Sequence, residues 1–185
     1  MAKILIIGGY TNSHSKMSSL KKHLEKLGHI VRTYTLDRFD GAILGSEKYA
    51  TDTIVITHSS GLLPMAAHVG SFARVVANSP PNGISMRKIL YRLVRREIVG
   101  AKQPKNRDRV LNWRQLWISK GVGDYNLEEL VDKHDNLVVT VASDDEVYRP
   151  EEYSVDLTTI QGISHDGIFT EPEVFIRCIK DLGII

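Results

Sequence analysis

The apolar run Thr53-Ile54-Val55-Ile56 passes through Thr57-His58-Ser59-Ser60-Gly61 into Leu62-Leu63-Pro64-Met65-Ala66-Ala67, which reads as the start of a buried helix. A strand that turns sharply into a helix at a serine, with glycine two positions later, has the pattern of a nucleophile elbow. The turn forces the serine backbone into a strained conformation and stands its hydroxyl above the carboxyl end of a sheet. Gly61 lets the helix approach without a side-chain clash. The amide of Ser60 then points to where an oxyanion would form. The usual pattern opens with a glycine, and this chain has Thr57 there, a β-branched residue less expected at a crowded turn. The bland reading of the pentapeptide is a serine-rich helix N-cap behind a buried strand.

The rest of the chain alternates strand and helix patterns. Residues 3–8 read as a strand. Residues 15–27 read as a helix with Leu20, Leu24 and Leu27 on one face and Gly28 as its C-cap. Residues 29–36, 53–57, 72–78, 136–142 and 155–160 read as further strands, and 171–182 as a closing helix. Residues 37–51 read as loop with at most a short helix. This alternation predicts an α/β architecture, a mostly parallel sheet with helices on both faces. Ligands of such sheets bind outside the carboxyl ends of the strands.

Two further candidates fall at strand ends. The run to Ala142 ends in Ser143-Asp144-Asp145-Glu146-Val147, and 155–160 leads into the loop Gln161-Gly162-Ile163-Ser164-His165-Asp166-Gly167. Nucleophile, then acid after a late strand, then histidine after the last strand is the Ser…Asp…His chain order of the α/β-hydrolases. A serine hydroxyl is a poor nucleophile at its own pKa, so an imidazole takes its proton and later returns it to the leaving group. A carboxylate sets the imidazole tautomer and stabilises the imidazolium. Taken singly, either aspartate could be a turn former and His165 an ordinary loop histidine. Their order and placement give them weight together.

On these residues the chain resembles a compact α/β-hydrolase, similar in layout to the small serine-hydrolase family of the retinoblastoma-binding protein 9 type, which has a similar His-Ser-x-Gly elbow. The resemblance spans about residues 3–72 and 137–185. It implies a three-layer sandwich in a single domain over 1–185, with a helical cap inserted at about 80–136. It favours Asp145 over Asp144, because Ala142, Asp145 and Val147 fit the family spacing around the acid. It also implies that the loop Gly8-Gly9-Tyr10-Thr11-Asn12-Ser13 supplies half of an oxyanion hole, through the amide of Tyr10 beside Gly9, with the amide of Ser60 as the other half. The bland reading of Gly8 and Gly9 is a tight strand-to-helix turn. A phosphate-binding loop is a weak rival, since neither Gly-x-Gly-x-x-Gly nor a Walker lysine is present.

Composition narrows the class. The chain has 185 residues, 42% apolar and 25% charged, the balance of a globular domain with a proper core. Its one cysteine, Cys178, excludes an internal disulfide framework and suggests a reducing, cytoplasmic setting. No stretch reads as a signal peptide or membrane span. His14, His23, His29, His58, His68 and His134 pair with no His, Cys or acid at metal-ligand spacing, so neither a metal nor a cofactor is expected.

The middle of the chain is basic. Residues 84–124 have eleven Lys or Arg against three acids, +8 in net, so the remainder of a +2 chain carries −6. Met86, Ile89, Leu90, Leu93 and Val94 recur at helical spacing opposite Lys88, Arg92, Arg95 and Arg96. Trp113 and Trp117 stand four apart, on one face if helical. A solvated basic face is the bland reading. The sharper one is a cap whose tryptophans line the substrate entrance and whose cations attract an anionic substrate. Nucleic acid is a disfavoured partner, since no recognised motif accompanies the basic patch. Two function classes stand: a serine hydrolase of carboxylic esters or thioesters acting on a small acyl substrate, or a catalytically silent interaction protein binding an anionic partner through the insert. The acyl group, leaving group and oligomeric state stay open.

Overall fold

Four consecutive side chains of the first strand, β1 (Lys3–Ile7), are buried, so both faces of the sheet must be covered. The computed structural model describes residues 1–9, 12–35, 51–82 and 126–185. Within these, β1 is followed by α1 (His14–Lys26), β2 (Ile30–Tyr34), β3 (Thr53–His58), a 3-10 helix (Ser59–Ser71) and β4 (Arg74–Asn78). After 83–125 come α2 (Leu127–Lys133), β5 (Leu137–Asp144), a 3-10 turn (Pro150–Glu152), β6 (Thr158–Ser164), α3 (Gly167–Thr170) and α4 (Pro172–Asp181).

The six strands form one sheet in the order β2-β1-β3-β4-β5-β6, and every pairing is parallel. Period-two alternation sorts the side chains into two cores. Ile4, Ile6, Ile54, Ile56 and Val76 pack with Met17, Leu20 and Leu24 of α1 and with Phe175, Ile176 and Ile179 of α4. Leu5, Ile7, Val55, Val75 and Val139 pack with Leu62, Met65 and Val69 of the 3-10 helix and Leu127 of α2. Leu127 therefore belongs to the body of the domain, at the C-terminal side of the segment expected as a cap.

Helix ends follow local chemistry. Ser13 caps α1 by accepting from the Lys16 amide, and Gly28 follows its C-terminus at φ +86°, a conformation that favours glycine. Asn126 caps α2 by accepting from the amides of Glu128 and Glu129. The segment after β3 is helical but of the tighter 3-10 type over thirteen residues, although such runs are usually a few residues long. Pro64 inside it has no N–H to give to an α-helical ladder. Its far end is held by Asn136, whose Nδ2 donates to the carbonyls of Val69 and Phe72, each at 2.8 Å.

The last strand differs from expectation. It begins at Thr158 rather than at Val155, and it runs on through residues expected to be loop, to Ser164. Tyr153, Val155 and Leu157 pack partly buried against the core on the α2 side without joining the sheet. A register irregularity between Ala142 and Asp144 and a left-handed Gly162 (φ +77°) carry the extension. The amide of Gly162 donates to Ser143 Oγ at 2.9 Å. As a result His165 follows the strand directly.

Candidate active site

Because all six strands are parallel, their carboxyl ends lie along one edge, and strand order reverses direction between β1 and β3. Such a switch point opens a crevice between the loops that follow the two strands. Gly8-Gly9 follows β1 and Ser59 follows β3. A Cβ on Gly9 would lie 2.7 Å from the His58 carbonyl oxygen and 2.8 Å from Ser59 Cβ. One on Gly61 would lie 2.6 Å from the Ile7 carbonyl oxygen. Only glycine allows the first loop, the elbow and β1 to approach this closely.

Ser59 has φ +51°, and Ser79 at φ +47° is the other described non-glycine residue in the left-handed region. Holding a serine there costs roughly 1–3 kcal/mol and persists only where the surrounding structure enforces it. Here the enforcement is the Gly9 and Gly61 contacts. Ser59 and Ser60 are both buried, and the helix that starts at Ser59 has no side-chain cap. Its first amides are thus left for another acceptor.

The two aspartates part company at the end of β5. Asp144, the last strand residue, is exposed and takes a hydrogen bond from the neighbouring Ser143 hydroxyl at 3.1 Å. Asp145 turns inward and is 4% exposed. Its Oδ1 accepts from the amides of Val147 (2.8 Å) and Tyr148 (2.7 Å), and its Oδ2 accepts from His165 Nδ1–H at 2.8 Å. Burial, the largest influence, pushes the Asp145 carboxyl up. The charge and hydrogen bond of His165, the Ser79 hydroxyl and the Tyr148 amide push it down and prevail, leaving it below the ordinary carboxylate value.

With Nδ1–H given to Asp145, the neutral His165 ring has its lone pair on Nε2, which makes no hydrogen bond among the described residues. The ring lies 5.7 Å from that of Tyr148 and 4.7 Å from that of His58, centroid to centroid. The His165 amide donates to Glu146 Oε2 at 3.3 Å, and its carbonyl accepts from His58 Nε2–H at 2.8 Å. Asp166 pairs with Lys16 at 2.7 Å, largely buried.

Ligating atoms of His58, His165 and Asp166 lie within 4.8 Å of one another, a cluster that sequence spacing does not reveal because His58 joins the adjacent pair His165-Asp166 from a distant segment. These groups are already engaged: His58 with His165, His165 with Asp145, and Asp166 with Lys16. The cluster is thus accounted for as a hydrogen-bonded network. Cys178 is half-buried in α4, and burial raises its thiol pKa, which disfavours a thiolate nucleophile. Tyr10, Trp113, Trp117 and the basic segment 84–124 lie outside the described residues. Sequence alone assigns His58 and Asn12 no role of their own; the local signal was the place of His58 in the His-Ser-x-Gly elbow beside Ser59.

The architecture is that of the α/β-hydrolases. An α/β-hydrolase enzyme from the metagenome of sediments of the Mar Chica lagoon, Morocco, matches with TM-score 0.66 at 16% identity, over 98% of this chain and 90% of that one. A carboxylesterase of the thaumarchaeon Nitrososphaera gargenis matches with TM-score 0.58 at 15% identity, over 99% and 90%. An esterase from Thermogutta terrifontis gives 0.58 at 13% identity, over 98% and 89%. No family model and no curated protein matches the chain. At these identities the likeness is one of fold. No helix among the described residues is long and apolar enough to cross a membrane.

Proposed function

We propose that the protein is a serine hydrolase that cleaves a carboxylic ester or thioester through an acyl-enzyme, of the compact retinoblastoma-binding protein 9 type. The observation that carries this reading is the left-handed Ser59 at a glycine-packed elbow, on the same sheet edge as a buried Asp145–His165 pair. An unstrained helix cap would not need φ +51°, and a buried aspartate–histidine pair holds a proton-accepting tautomer.

In this reading Ser59 Oγ attacks the substrate carbonyl carbon while its proton passes to His165 Nε2. The oxygen of the tetrahedral intermediate takes the negative charge and is met by the amides of Ser60 and Tyr10, with Gly9 letting the first loop close on the elbow. Such donors contribute about 3–4 kcal/mol each. The C–O or C–S bond breaks as His165 returns the proton to the leaving alcohol or thiol. Water then repeats the sequence on the acyl-Ser59 ester, losing a proton to His165, and the acid is released. Asp145 stays ionised throughout, holding the ring and balancing the imidazolium. The basic segment 84–124 acts as a cap that draws in anionic acyl substrates, with Trp113 and Trp117 at the entrance. The single cysteine fits a cytosolic setting.

A fluorophosphonate probe tests this, because it labels only an activated serine. The wild-type protein and Ser60→Ala should label, and Ser59→Ala should not. Labelling lost in Ser60→Ala but kept in Ser59→Ala would move the nucleophile by one residue. A folded wild-type protein that never labels would leave the fold as a scaffold for binding through the basic insert.

A further inference from the structure

We propose that His58 is a positioning residue for His165: from beneath the site, its Nε2–H holds the His165 carbonyl and so fixes the backbone from which the catalytic ring projects. This rests on the serine-hydrolase reading, in which His165 is the base.

His58 ends β3, one residue before Ser59, and its side chain is 1% exposed. Nε2 lies 2.8 Å from the carbonyl oxygen of His165, which is 107 residues away in sequence. A carbonyl can only accept, so Nε2 carries the proton. The ring also stands nearly edge-on to Phe169, with centroids 5.0 Å apart. A side chain needed only to fill this space would be apolar, because a buried polar ring is costly unless its hydrogen bond is used. The bond that offsets this cost is to the backbone of the proposed base.

His165 shows why that bond matters. Asp145 holds Nδ1, Glu146 takes the backbone N–H at the longer distance of 3.3 Å, and His58 holds the carbonyl. Asp145 directs one ring nitrogen but does not set where the backbone pivot lies; His58 and the Lys16–Asp166 pair set that. The other nitrogen of His58, Nδ1, faces Asn12 Oδ1 at 2.8 Å, an oxygen that already accepts the Gly9 amide at 2.6 Å. The charged groups around the ring are His165, Asp166 and Lys16. Burial foremost, then the charge of His165, lower the His58 pKa to about 3, with Asp166 opposing. The ring is therefore neutral at physiological pH and adds no positive charge beside the imidazolium that His165 becomes. A neutral ring has one N–H; on Nε2 it donates to the His165 carbonyl and leaves the Nδ1 lone pair facing the Asn12 oxygen, a contact that supplies no hydrogen bond.

Three variants of the full chain separate the possibilities. His58→Phe keeps a flat ring beside Phe169 and removes the donor. His58→Gln places an amide nitrogen near the former Nε2, and His58→Asn places one near the former Nδ1. A misplacement of about 1 Å can cost about 10²-fold in rate. Below their melting transitions, the Phe and Asn variants should label with fluorophosphonate about 10²-fold more slowly than wild type, and the Gln variant should stay within about tenfold of it. The downfield proton resonance of the His165 Nδ1–H should persist in the Gln variant and shift or broaden in the other two. Equal rates for Gln and Asn, or a wild-type rate for Phe, would overturn the proposal. Should the Phe variant not fold, the Gln–Asn pair decides. Should the wild type fail to label, the hydrolase reading falls, and the downfield proton alone then judges the positioning: unchanged in every folded variant, it overturns it.

Discussion

Ser59 holds a left-handed backbone that alanine tolerates no better and glycine tolerates well. Ser59→Gly should therefore be more stable than Ser59→Ala by about 1 kcal/mol, with both inactive. Denaturant midpoints of the two variants check this, and a less stable glycine variant would mean that the turn is unstrained. Asp145→Asn should lower turnover by about 10⁴-fold, since it removes the buried charge and the tautomer control on His165, whereas Asp144→Asn should leave turnover near wild type. His58 gives a pH prediction. Its pKa is about 3 when folded and the ordinary 6.5 when unfolded, so between those values the unfolded chain binds the extra proton. Stability contributed by the neutral buried ring is whole above about pH 6.5 and is lost as pH falls toward 3, by about 1 kcal/mol per pH unit. Asp145, held below the ordinary 3.8, adds its own loss only at the acid end. The stability profile of His58→Gln should be flatter over this window.

Among the elements, the 3-10 helix after β3 depends on contacts at both of its ends. At its start, Gly61→Ala would press a methyl group 2.6 Å from the Ile7 carbonyl, a backbone atom that cannot swing aside. Overpacking of this kind costs about 1–3 kcal/mol, and because it shifts the elbow it should reduce activity as well. At its far end, Asn136→Ala leaves the partly buried carbonyls of Val69 and Phe72 without their donor. That should cost about 1–3 kcal/mol with activity per folded molecule retained, because Asn136 precedes β5 at the sheet edge opposite Ser59. Thermal melts paired with active-site titration separate the two outcomes. The segment after Asp145 acts as a strap: Tyr153 Oη donates to the Pro80 carbonyl at 2.6 Å and Asn82 Nδ2 donates to that of Glu152 at 3.1 Å. The strap that carries the Asp145 partners Val147 and Tyr148 is thereby tied to the chain leaving β4.

For the molecule as a whole, charge is unevenly divided along the chain, with +8 in residues 84–124 and −6 elsewhere. If the basic segment steers anionic substrates, its effect lies in encounter, which salt screens over about 8 Å at physiological ionic strength. With an anionic ester, kcat/KM should fall as salt is added, while kcat changes little. Reversing Arg92, Arg95 and Arg96 to glutamate should lower kcat/KM at low salt and invert its salt trend. A neutral ester should show neither effect. Identical salt dependence in wild type and the reversed variant would make the segment an ordinary solvated face.

The sequence alone determined the alternation of strand and helix, the junction at Ser59 and the order Ser59, Asp145, His165, because periodicity and turn chemistry are local properties of a backbone. It also placed Gly61 where close approach was required, whereas the tight packing of Gly9 on the elbow came only with the structure. Family spacing favoured Asp145 over Asp144, but that Asp145 turns inward onto His165 is a matter of tertiary structure, at the point where the register between β5 and β6 is irregular. The same irregularity carried β6 on to Ser164, past the point where its apolar alternation was expected to end. The role of His58 was illegible for a related reason: its two ring partners lie 46 and 107 residues away, and β6 stands three places from β3 in the sheet, so nothing local marks the return of the loop after β6 to the end of β3. Local sequence determines what a segment can be, and long-range packing determines which of its side chains meet.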